Sequence, residues 1–269
     1  MVSSVVSILK GIAGAMRFFS HDGFELAYID LAPPEGGDPV LLIHGFASTH
    51  AVNWVAPGWV KTLNDAGYRA IALDNRGHGA SAKSHVSDDY TPQKMAADAA
   101  ALLDHLGIGR AHVMGYSMGA RIAAFLALHE PAKVATLVFG GLGSGMVDGV
   151  GDWGPIASAL LAEDPQSIPH PQGRTFRAFA DQTKSDRLAL AACIETSRTL
   201  LTPDEMDRIR QPTLIAVGTR DDIAGSADQL ARMMPDAASF AIEGRDHMLS
   251  VGDRTFKARV LEFLRQHPL

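Results

Sequence analysis

The chain has 269 residues, a length that fits one domain with room for an insertion. Its hydrophobic fraction of 46% is enough for a packed core, and 24 basic against 30 acidic side chains give a formal charge of −6. This balance argues against nucleic acid as a partner, because phosphate binding needs a concentrated basic surface. The single cysteine, Cys193, excludes an internal disulfide, which fits a reducing compartment, and we expect a cytoplasmic location.

The N-terminal residues differ in pattern from the rest of the chain. Residues 2–9 are apolar but too few to span a bilayer, and Lys10 comes after them, whereas a secretory signal carries its positive charge first. We interpret residues 1–16 as an N-terminal extension, either a small surface helix or a disordered tail, and we predict no stable membrane insertion. The sequence leaves the oligomeric state open.

A strand-like pattern begins just after Met16, and from there short aliphatic runs alternate with longer helical patterns. This alternation indicates a mostly parallel sheet with helices on both faces. The predicted strands are 24–29, 40–43, 70–73, 111–114, 134–139, 213–217 and 239–242. The predicted helices are 59–66, 92–106, 118–129 and 254–264.

The regular alternation stops between residues 142 and 210, where no strand pattern is present but apolar residues have helical spacing. A connection of this length inside a sheet needs structure of its own. We therefore predict a helical cap at 142–210, inserted into a core domain that is formed by 17–141 and 211–269.

The segment Gly115-Tyr116-Ser117-Met118-Gly119 matches the G-x-S-x-G pattern, in which a serine lies on a tight turn between a strand and a helix. An apolar run before it and a run rich in Ala, Ile and Leu after it supply that setting. Glycines leave room at such a crowded turn, and the helix N-terminus favours developing negative charge. The pentapeptide alone is weak evidence, but in this setting it predicts Ser117 as a nucleophile.

With this motif the chain resembles the α/β-hydrolase family from Phe18 onward. The segments that carry the resemblance, in the family's order, are His44-Gly45-Phe46, Asp74 to Ser81, Gly115 to Gly119, and Gly218-Thr219-Arg220-Asp221 followed by Asp246-His247. Together they are much more specific than any one of them. Within the family the chain is similar to capped bacterial serine carboxylesterases and lipases, which implies an eight-stranded-type, mostly parallel sheet flanked by helices.

The resemblance also implies the partners of the nucleophile. A serine hydroxyl needs an adjacent base, and the family's order of serine, acid and histidine makes His247 that base. The family spacing Gly-x-x-Asp, counted from Gly218, selects Asp221 as the acid that orients the imidazole. Asp222 beside it, and Asp148 after an earlier strand, remain the alternatives for the acid.

The resemblance further places the oxyanion hole at the backbone N–H groups of Phe46 and Met118. A substrate pocket is expected under the cap, with this predicted lining: His44, Met146, Trp153, Ile156, Leu160, Phe176, Phe179 and Met248. His44 is also expected to brace the loop that it begins. Cap arginines such as Arg174 or Arg177 would favour an acidic substrate if they face this pocket.

No metal or cofactor is predicted. Paired cysteines and H-E-x-x-H are missing from the sequence, and the G-x-G-x-x-G match at 149–154 does not follow a predicted strand, as a dinucleotide site requires. Haloalkane dehalogenases and epoxide hydrolases share the fold but have aspartate at the nucleophile position, so Ser117 argues against both.

The predicted function is a serine hydrolase that cleaves small or polymeric hydrophobic carboxylic esters through an acyl-enzyme intermediate. A lactonase, a carbon–carbon bond hydrolase and a cofactor-free perhydrolase would use similar residues and remain open. A ligand-binding or signalling protein on the same fold is the alternative from a different class.

Overall fold

A computed structural model describes residues 16–269, so residues 1–15 of the predicted extension lie outside the described part of the chain. Met16 already pairs with Ile29, and the core therefore begins one residue before the predicted boundary. The strands are β1 (Met16–His21), β2 (Phe24–Leu31), β3 (Pro39–Ile43), β4 (Arg69–Leu73), β5 (Ala111–Tyr116), β6 (Val134–Gly140), β7 (Thr213–Gly218) and β8 (Ala237–Ile242).

These strands form one eight-stranded sheet in the order β1-β2-β4-β3-β5-β6-β7-β8. The two pairings of β2, with β1 and with β4, are antiparallel, and the pairings from β4 through β8 are parallel. The prediction of a mostly parallel sheet is confirmed. Parallel neighbours bring the carboxyl ends of β3, β5, β7 and β8 to the same edge, which is where ligands bind in such sheets.

The α-helices between residues 16 and 269 are α1 (Trp59–Asp65), α2 (Pro92–His105), α3 (Met118–His129), α4 (Gly145–Asp148), α5 (Gly154–Leu161), α6 (Pro171–Gln182), α7 (Arg187–Thr196), α8 (Pro203–Arg208), α9 (Ala227–Ala231), α10 (His247–Ser250) and α11 (Arg254–Gln266). A π-helical turn covers Ala51–Val55, and short 3₁₀ turns cover Ser87–Tyr90, Pro131–Lys133 and Pro165–Ser167. In this described part of the chain, no helix combines the length and apolar character needed to cross a bilayer.

Strand β3 shows why the central strands are apolar at every position. Leu41 and Ile43 pack on one face of the sheet with residues of α2 and α3, whereas Val40 and Leu42 pack on the other face with residues of α1 and α11. All four side chains are buried. Because successive residues of a strand point to opposite faces, a sheet covered on both sides loses the usual polar alternation.

The chain between β6 and β7, residues 141–212, forms a long connection that we call the insertion. It contains α4 to α8 and no strand, and it occupies the range for which a helical cap is predicted. Its helices pack around buried Ile156, Leu160 and Leu190, which continue the core on the α2 and α3 face of the sheet. The apolar residues that have helical spacing in this range therefore serve mostly to pack the helices of the insertion.

Candidate active site

Ser117 lies at the junction of β5 and α3 with φ +54° and ψ −113°. A positive φ is rarely adopted by a residue other than glycine and marks local strain. A Cβ on Gly115 would lie 2.1 Å from the Gly119 carbonyl oxygen, and a Cβ on Gly119 would lie 1.9 Å from the Ile43 carbonyl oxygen. The two glycines are therefore required because β3, β5 and α3 meet in backbone contact around the serine.

A line of hydrogen bonds joins Ser117 to a buried carboxylate. The Nε2 of His247 lies 3.0 Å from the Ser117 Oγ, and its Nδ1 lies 2.8 Å from the Asp221 Oδ2. The other oxygen of Asp221 accepts from the backbone N–H groups of Ile223 and Ala224, at 3.0 Å each. With its side chain 0% exposed and both oxygens bonded, the carboxylate holds the imidazole in one orientation.

Two loops after neighbouring strands bring the imidazole to this place. A Cβ on Gly218, at the end of β7, would lie 2.2 Å from the Arg245 carbonyl oxygen, so the loops after β7 and β8 touch there. Asp246 caps α10 by accepting from its second and third backbone N–H groups, at 3.0 and 2.8 Å. The Tyr116 hydroxyl donates to the His247 carbonyl oxygen. This role of Tyr116 was not predicted from the sequence, because the residue occupies a variable position of the motif.

The two alternative acids are located elsewhere. Asp222 is exposed and lines a groove on the surface. Asp148 is also accessible, and its carboxylate accepts from the Gln229 side chain at 3.1 Å. Neither residue is hydrogen-bonded to His247, and of the three aspartates only Asp221 contacts its imidazole.

Phe46 and Met118 flank Ser117 from two different elements. Within residues 16–269, neither backbone N–H donates a hydrogen bond to another residue. The turn after β3 that presents Phe46 is held by the Gly45 N–H, which donates to the Asn53 side-chain oxygen at 2.8 Å. Asn53 lies on the π-helical turn, and no sequence pattern indicates this role. The arrangement leaves two backbone donors free beside the serine.

His44 is buried beneath this turn and does not line the cavity beside Ser117, contrary to the predicted pocket position. Its Nδ1–H donates to the Gly45 carbonyl at 2.8 Å, and its Nε2 accepts from the Asn75 N–H at 3.0 Å. Burial lowers the pKa of His44 to about 4, so the ring is neutral near pH 7. The geometry fits the other predicted role of His44, bracing the loop.

The segment after β4 also stabilises the loops beside the site through buried polar contacts. Burial alone would raise the pKa of Asp74, but hydrogen bonds from His50 at 2.7 and 2.8 Å outweigh it and lower that pKa to about 2. Arg76 is fully buried and makes a two-pronged ion pair with Asp98, at 2.7 Å for each bond. Burial lowers the pKa of His78 to about 3. These groups hold the loop beside the site and do not contact Ser117.

A cavity of about 160 Å³ adjoins Ser117, and part of its predicted lining is found there. The residues that line it as predicted are Trp153, Phe176, Phe179 and Met248, and Phe46 lines it as well. Three predicted residues are instead fully buried in the packing of the insertion and do not line it: Met146, Ile156 and Leu160. Helical spacing identifies an apolar face, but it does not show whether that face meets the core or a cavity.

Aromatic rings connect the insertion to the turn after β3. The Phe176 ring lies 5.7 Å from the Phe46 ring and 5.4 Å from the Trp153 ring, measured between centroids. Beyond them a wider surface groove of about 740 Å³ shares Phe176, His247 and Met248 with the cavity. Met248 is 53% exposed at this mouth. The serine is thus reached from the surface along a largely apolar path.

The two cap arginines considered from the sequence do not face the cavity. Arg174 is exposed and donates to backbone carbonyls of its own segment. Arg177 is buried and pairs with Asp181 at 2.9 Å. A third arginine, Arg198, does line the cavity. It was not predicted from the sequence, because it follows α7 in a stretch without a clear pattern.

No metal-binding cluster of three or more His, Cys, Asp or Glu residues is present in the part of the chain that the structure describes. The G-x-G-x-x-G match at 149–154 follows α4 rather than a strand, so it lacks the setting of a dinucleotide site.

The sheet order and the strand–turn–helix around Ser117 define the class of protein. Residues 38–166 match the family model described as the alpha/beta hydrolase fold, and solved hydrolases superpose on nearly the whole chain. The chain has the α/β-hydrolase fold, as the resemblance predicted.

Individual relatives agree with this assignment. The dihydrolipoyllysine-residue acetyltransferase component of the acetoin cleaving system of Pseudomonas putida is 32% identical over 251 residues, which are 87% of this chain and 65% of that protein. A hydrolase from Pseudomonas aeruginosa PA01 has a TM-score of 0.76 at 25% identity, covering 93% of this chain and 98% of that one. The esterase RhEst1 from Rhodococcus sp. ECU1013 also has a TM-score of 0.76 at 25% identity, covering 94% and 100%. The chain spans less than two thirds of the length of the curated relatives that it matches.

Proposed function

We propose that this chain is a serine hydrolase that cleaves carboxylic esters or similar acyl bonds through an acyl-enzyme intermediate. The observation that carries the proposal is the unbroken line of hydrogen bonds from Asp221 through His247 to Ser117, at 2.8 and 3.0 Å. The strained backbone of Ser117 supports it, because strain of this kind is concentrated at functional sites. The similarity to an esterase over the whole fold is further support.

The first half-reaction forms the acyl-enzyme. The Ser117 Oγ attacks the carbonyl carbon of the substrate while its proton passes to the Nε2 of His247. The carbonyl oxygen becomes negatively charged and accepts hydrogen bonds from the free N–H groups of Phe46 and Met118. The carbon–oxygen bond to the alcohol then breaks, and the leaving oxygen takes the proton from His247.

The second half-reaction releases the acid. Water attacks the acyl carbon and gives a proton to His247, and Ser117 recovers its proton as the carbon–Oγ bond breaks. Asp221 does not take a proton in either step. It keeps the Nδ1–H of His247 pointing toward itself, so that Nε2 faces the serine, and it stabilises the imidazolium that forms twice in the cycle.

The shape of the site favours a short to medium acyl group. The cavity beside Ser117 has about 160 Å³ and is walled by the rings of Phe46, Phe176 and Trp153, whereas the outer groove is several times larger. A flat aromatic wall contributes apolar contact area and orients a chain without specifying its exact length. Longer or polymeric alcohol portions would lie toward the outer groove.

The test is hydrolysis of 4-nitrophenyl esters of graded acyl length by the wild-type protein and by Ser117→Ala. We expect turnover of the shorter esters and a loss of at least about 10⁴-fold in kcat for the variant, because the nucleophile is removed. Ser158→Ala, which removes an exposed hydroxyl of α5, is the matched control and should keep full activity.

A fluorophosphonate probe gives an independent check, since its adduct should map to Ser117 by mass spectrometry. Ester turnover that survives in Ser117→Ala, or an adduct on a different residue, would overturn the nucleophile assignment. A protein that binds esters but turns over none of them would instead support the ligand-binding or signalling alternative.

A further inference from the structure

Arg198 is placed at the site without a hydrogen-bond acceptor or a counter-ion among residues 16–269. It lines the cavity beside Ser117, and it also lines a smaller adjoining cavity in which Ser117 and Met118 take part. The side chain is half-buried, and its Nε is fully buried without an acceptor. In residues 16–269, no hydrogen bond or ion pair of the Arg198 side chain is found. Buried or partly buried guanidinium groups are normally paired.

The guanidinium is held in a definite orientation by an aromatic ring. Its central carbon lies 3.0 Å from the centroid of the Trp153 ring. Trp153 in turn donates from its indole N–H to the Val150 carbonyl and packs edge-on against Phe176, with 5.4 Å between ring centroids. This contact is a cation–π attraction and uses none of the guanidinium N–H donors, so they remain without an acceptor among residues 16–269.

The surroundings of Arg198 are positively charged. Arg121 is buried nearby, and among residues 16–269 its side chain donates only to three backbone carbonyls, which carry no charge. Burial, and after it the Arg121 charge, lower the pKa of Arg198 well below its ordinary value. Burial raises the pKa of the neighbouring Cys193 thiol to about 12, so the thiol is neutral and does not act as a counter-ion. Asp221, across the site, is engaged by His247.

We propose that Arg198 binds a carboxylate of the substrate. The preferred substrates are then anionic acyl compounds, namely half-esters of dicarboxylic acids, or lactones, that carry a free carboxylate besides the bond that is cleaved. This inference rests on the proposed hydrolysis at Ser117 and names the substrate class of that same site. A carboxylate matches the planar fork of a guanidinium and makes two charge-assisted hydrogen bonds to it. It also offsets the cost of an unpaired cation in a partly dry site, while the aromatic wall contacts the apolar stem between the two carbonyl groups. This differs from the hydrophobic ester expected from the sequence.

The experiment compares matched pairs of esters. Mono-4-nitrophenyl esters of succinate, glutarate and adipate carry a free carboxylate, and the corresponding 4-nitrophenyl methyl diesters are neutral. We expect the wild-type protein to favour the best acid over its methyl ester by about tenfold or more in kcat/KM, after subtraction of spontaneous hydrolysis. In Arg198→Gln this preference should fall to about one or below, mainly through a higher KM for the acid.

Two further variants complete the series. Arg198→Lys keeps the charge but not the fork, and it should retain only part of the preference; it also serves if Arg198→Gln does not fold. Arg174→Gln is the matched control, because it removes an exposed arginine of the insertion that does not line the cavity, and it should leave the preference unchanged. A wild-type preference for the neutral esters, or an unchanged preference in both Arg198 variants, overturns the inference.

Direct binding separates this inference from the proposed chemistry. Monomethyl adipate is titrated calorimetrically into Ser117→Ala and into Ser117→Ala combined with Arg198→Gln, and we expect the second protein to bind at least about tenfold more weakly. If the wild-type protein cleaves no ester but this difference is found, the hydrolase proposal fails and the carboxylate site stands. If esters are cleaved but the two proteins bind monomethyl adipate equally, the carboxylate site fails and the hydrolase proposal stands.

Discussion

At the scale of single residues, Asp221 and Asp222 are adjacent in the chain but have opposite surroundings. The Asp221 side chain is 0% exposed and contacts the His247 imidazole, whereas Asp222 lies at the surface groove. The loop after β7 forms a turn in which the Asp221 N–H donates to the Gly218 carbonyl at 3.0 Å, and the two side chains leave this turn in different directions. Substituting each of these two neighbouring aspartates by asparagine is therefore a matched comparison, because only one of the two carboxylates contacts the imidazole.

We predict that Asp221→Asn lowers kcat for a cleaved ester by about 10³- to 10⁴-fold, whereas Asp222→Asn changes it by less than about threefold. An amide at position 221 can donate to the Nδ1 of His247, which favours the wrong tautomer and no longer stabilises the imidazolium. Steady-state kinetics on both variants at the same pH measure the effect. A large loss in Asp222→Asn with little change in Asp221→Asn would transfer the role of the acid to Asp222.

At the scale of elements, the site depends on how closely α3 approaches β3. Gly119, in the first turn of α3, has no room for a side chain, because a Cβ there would lie 1.9 Å from the Ile43 carbonyl oxygen. The obstacle is backbone, and a backbone carbonyl in the centre of a sheet cannot move aside without disturbing the strand. The position of α3, and with it the exposure of the Ser117 hydroxyl, therefore depends on this contact.

We predict that Gly119→Ala destabilises the protein by about 2 kcal/mol or more, because overpacking costs about 1–3 kcal/mol where the neighbours can relax and here they cannot. Ester turnover should also fall, since any displacement of α3 moves the Met118 N–H. Urea unfolding measures the first effect. Gly109→Ala is the control, because nothing lies within 4 Å of a Cβ there, and it should leave stability unchanged within about 0.5 kcal/mol. Equal effects of the two substitutions would contradict the close-contact argument.

At the scale of the whole molecule, two parts of the chain contribute to the site: the sheet with the loops at its edge, and the insertion. The sheet and the loops at its edge hold Ser117, Asp221 and His247, and the insertion contributes the ring of Phe176, which contacts the Phe46 ring. In this arrangement, changes in the insertion can alter which acyl groups fit without altering the reacting groups. Loops and insertions on a rigid scaffold commonly set specificity in this way.

We predict that Phe176→Ala shifts the preference of the enzyme toward longer acyl chains, because removing the ring widens the cavity beside Ser117. The ratio of kcat/KM for a longer acyl ester to that for a shorter one should rise by about tenfold or more, since one methylene group in an apolar pocket changes kcat/KM by about tenfold at the least. Leu161→Ala truncates an exposed apolar side chain of α5 and should leave the ratio unchanged. A ratio that does not rise in Phe176→Ala would show that the ring is packing only and does not limit the acyl group.

Much of the fold could be predicted because its signals are local in the chain. The predicted strands at 24–29, 40–43 and 70–73 are found as β2, β3 and β4, extended by a residue or two at their ends. The start of α2 could be predicted because Thr91 accepts from the Lys94 N–H and Pro92 occupies the first helical position. The antiparallel pairing of β1 was not predicted, since an edge strand with one solvent-facing side has only a weak apolar pattern.

The site could be predicted only in part. The residues that occupy spaced motifs, Ser117, Asp221 and His247, lie together in the structure. The cavity lining was harder: Trp153 and Phe179 line it, whereas Met146, Ile156 and Leu160 are buried in packing. Both groups have the same helical spacing in the sequence, because core packing and a cavity wall require the same apolar face.

The sequence by itself determined which segments become buried strands and which glycines surround Ser117, because strand period, helix capping and backbone crowding act over a few neighbouring residues. Only the tertiary structure decided that Asp221 rather than Asp222 meets His247, and that Arg198 rather than Arg174 faces the serine. These outcomes depend on the direction in which loops and an inserted segment turn after they leave their elements. That direction is set by contacts between residues far apart in the chain, which no local pattern records.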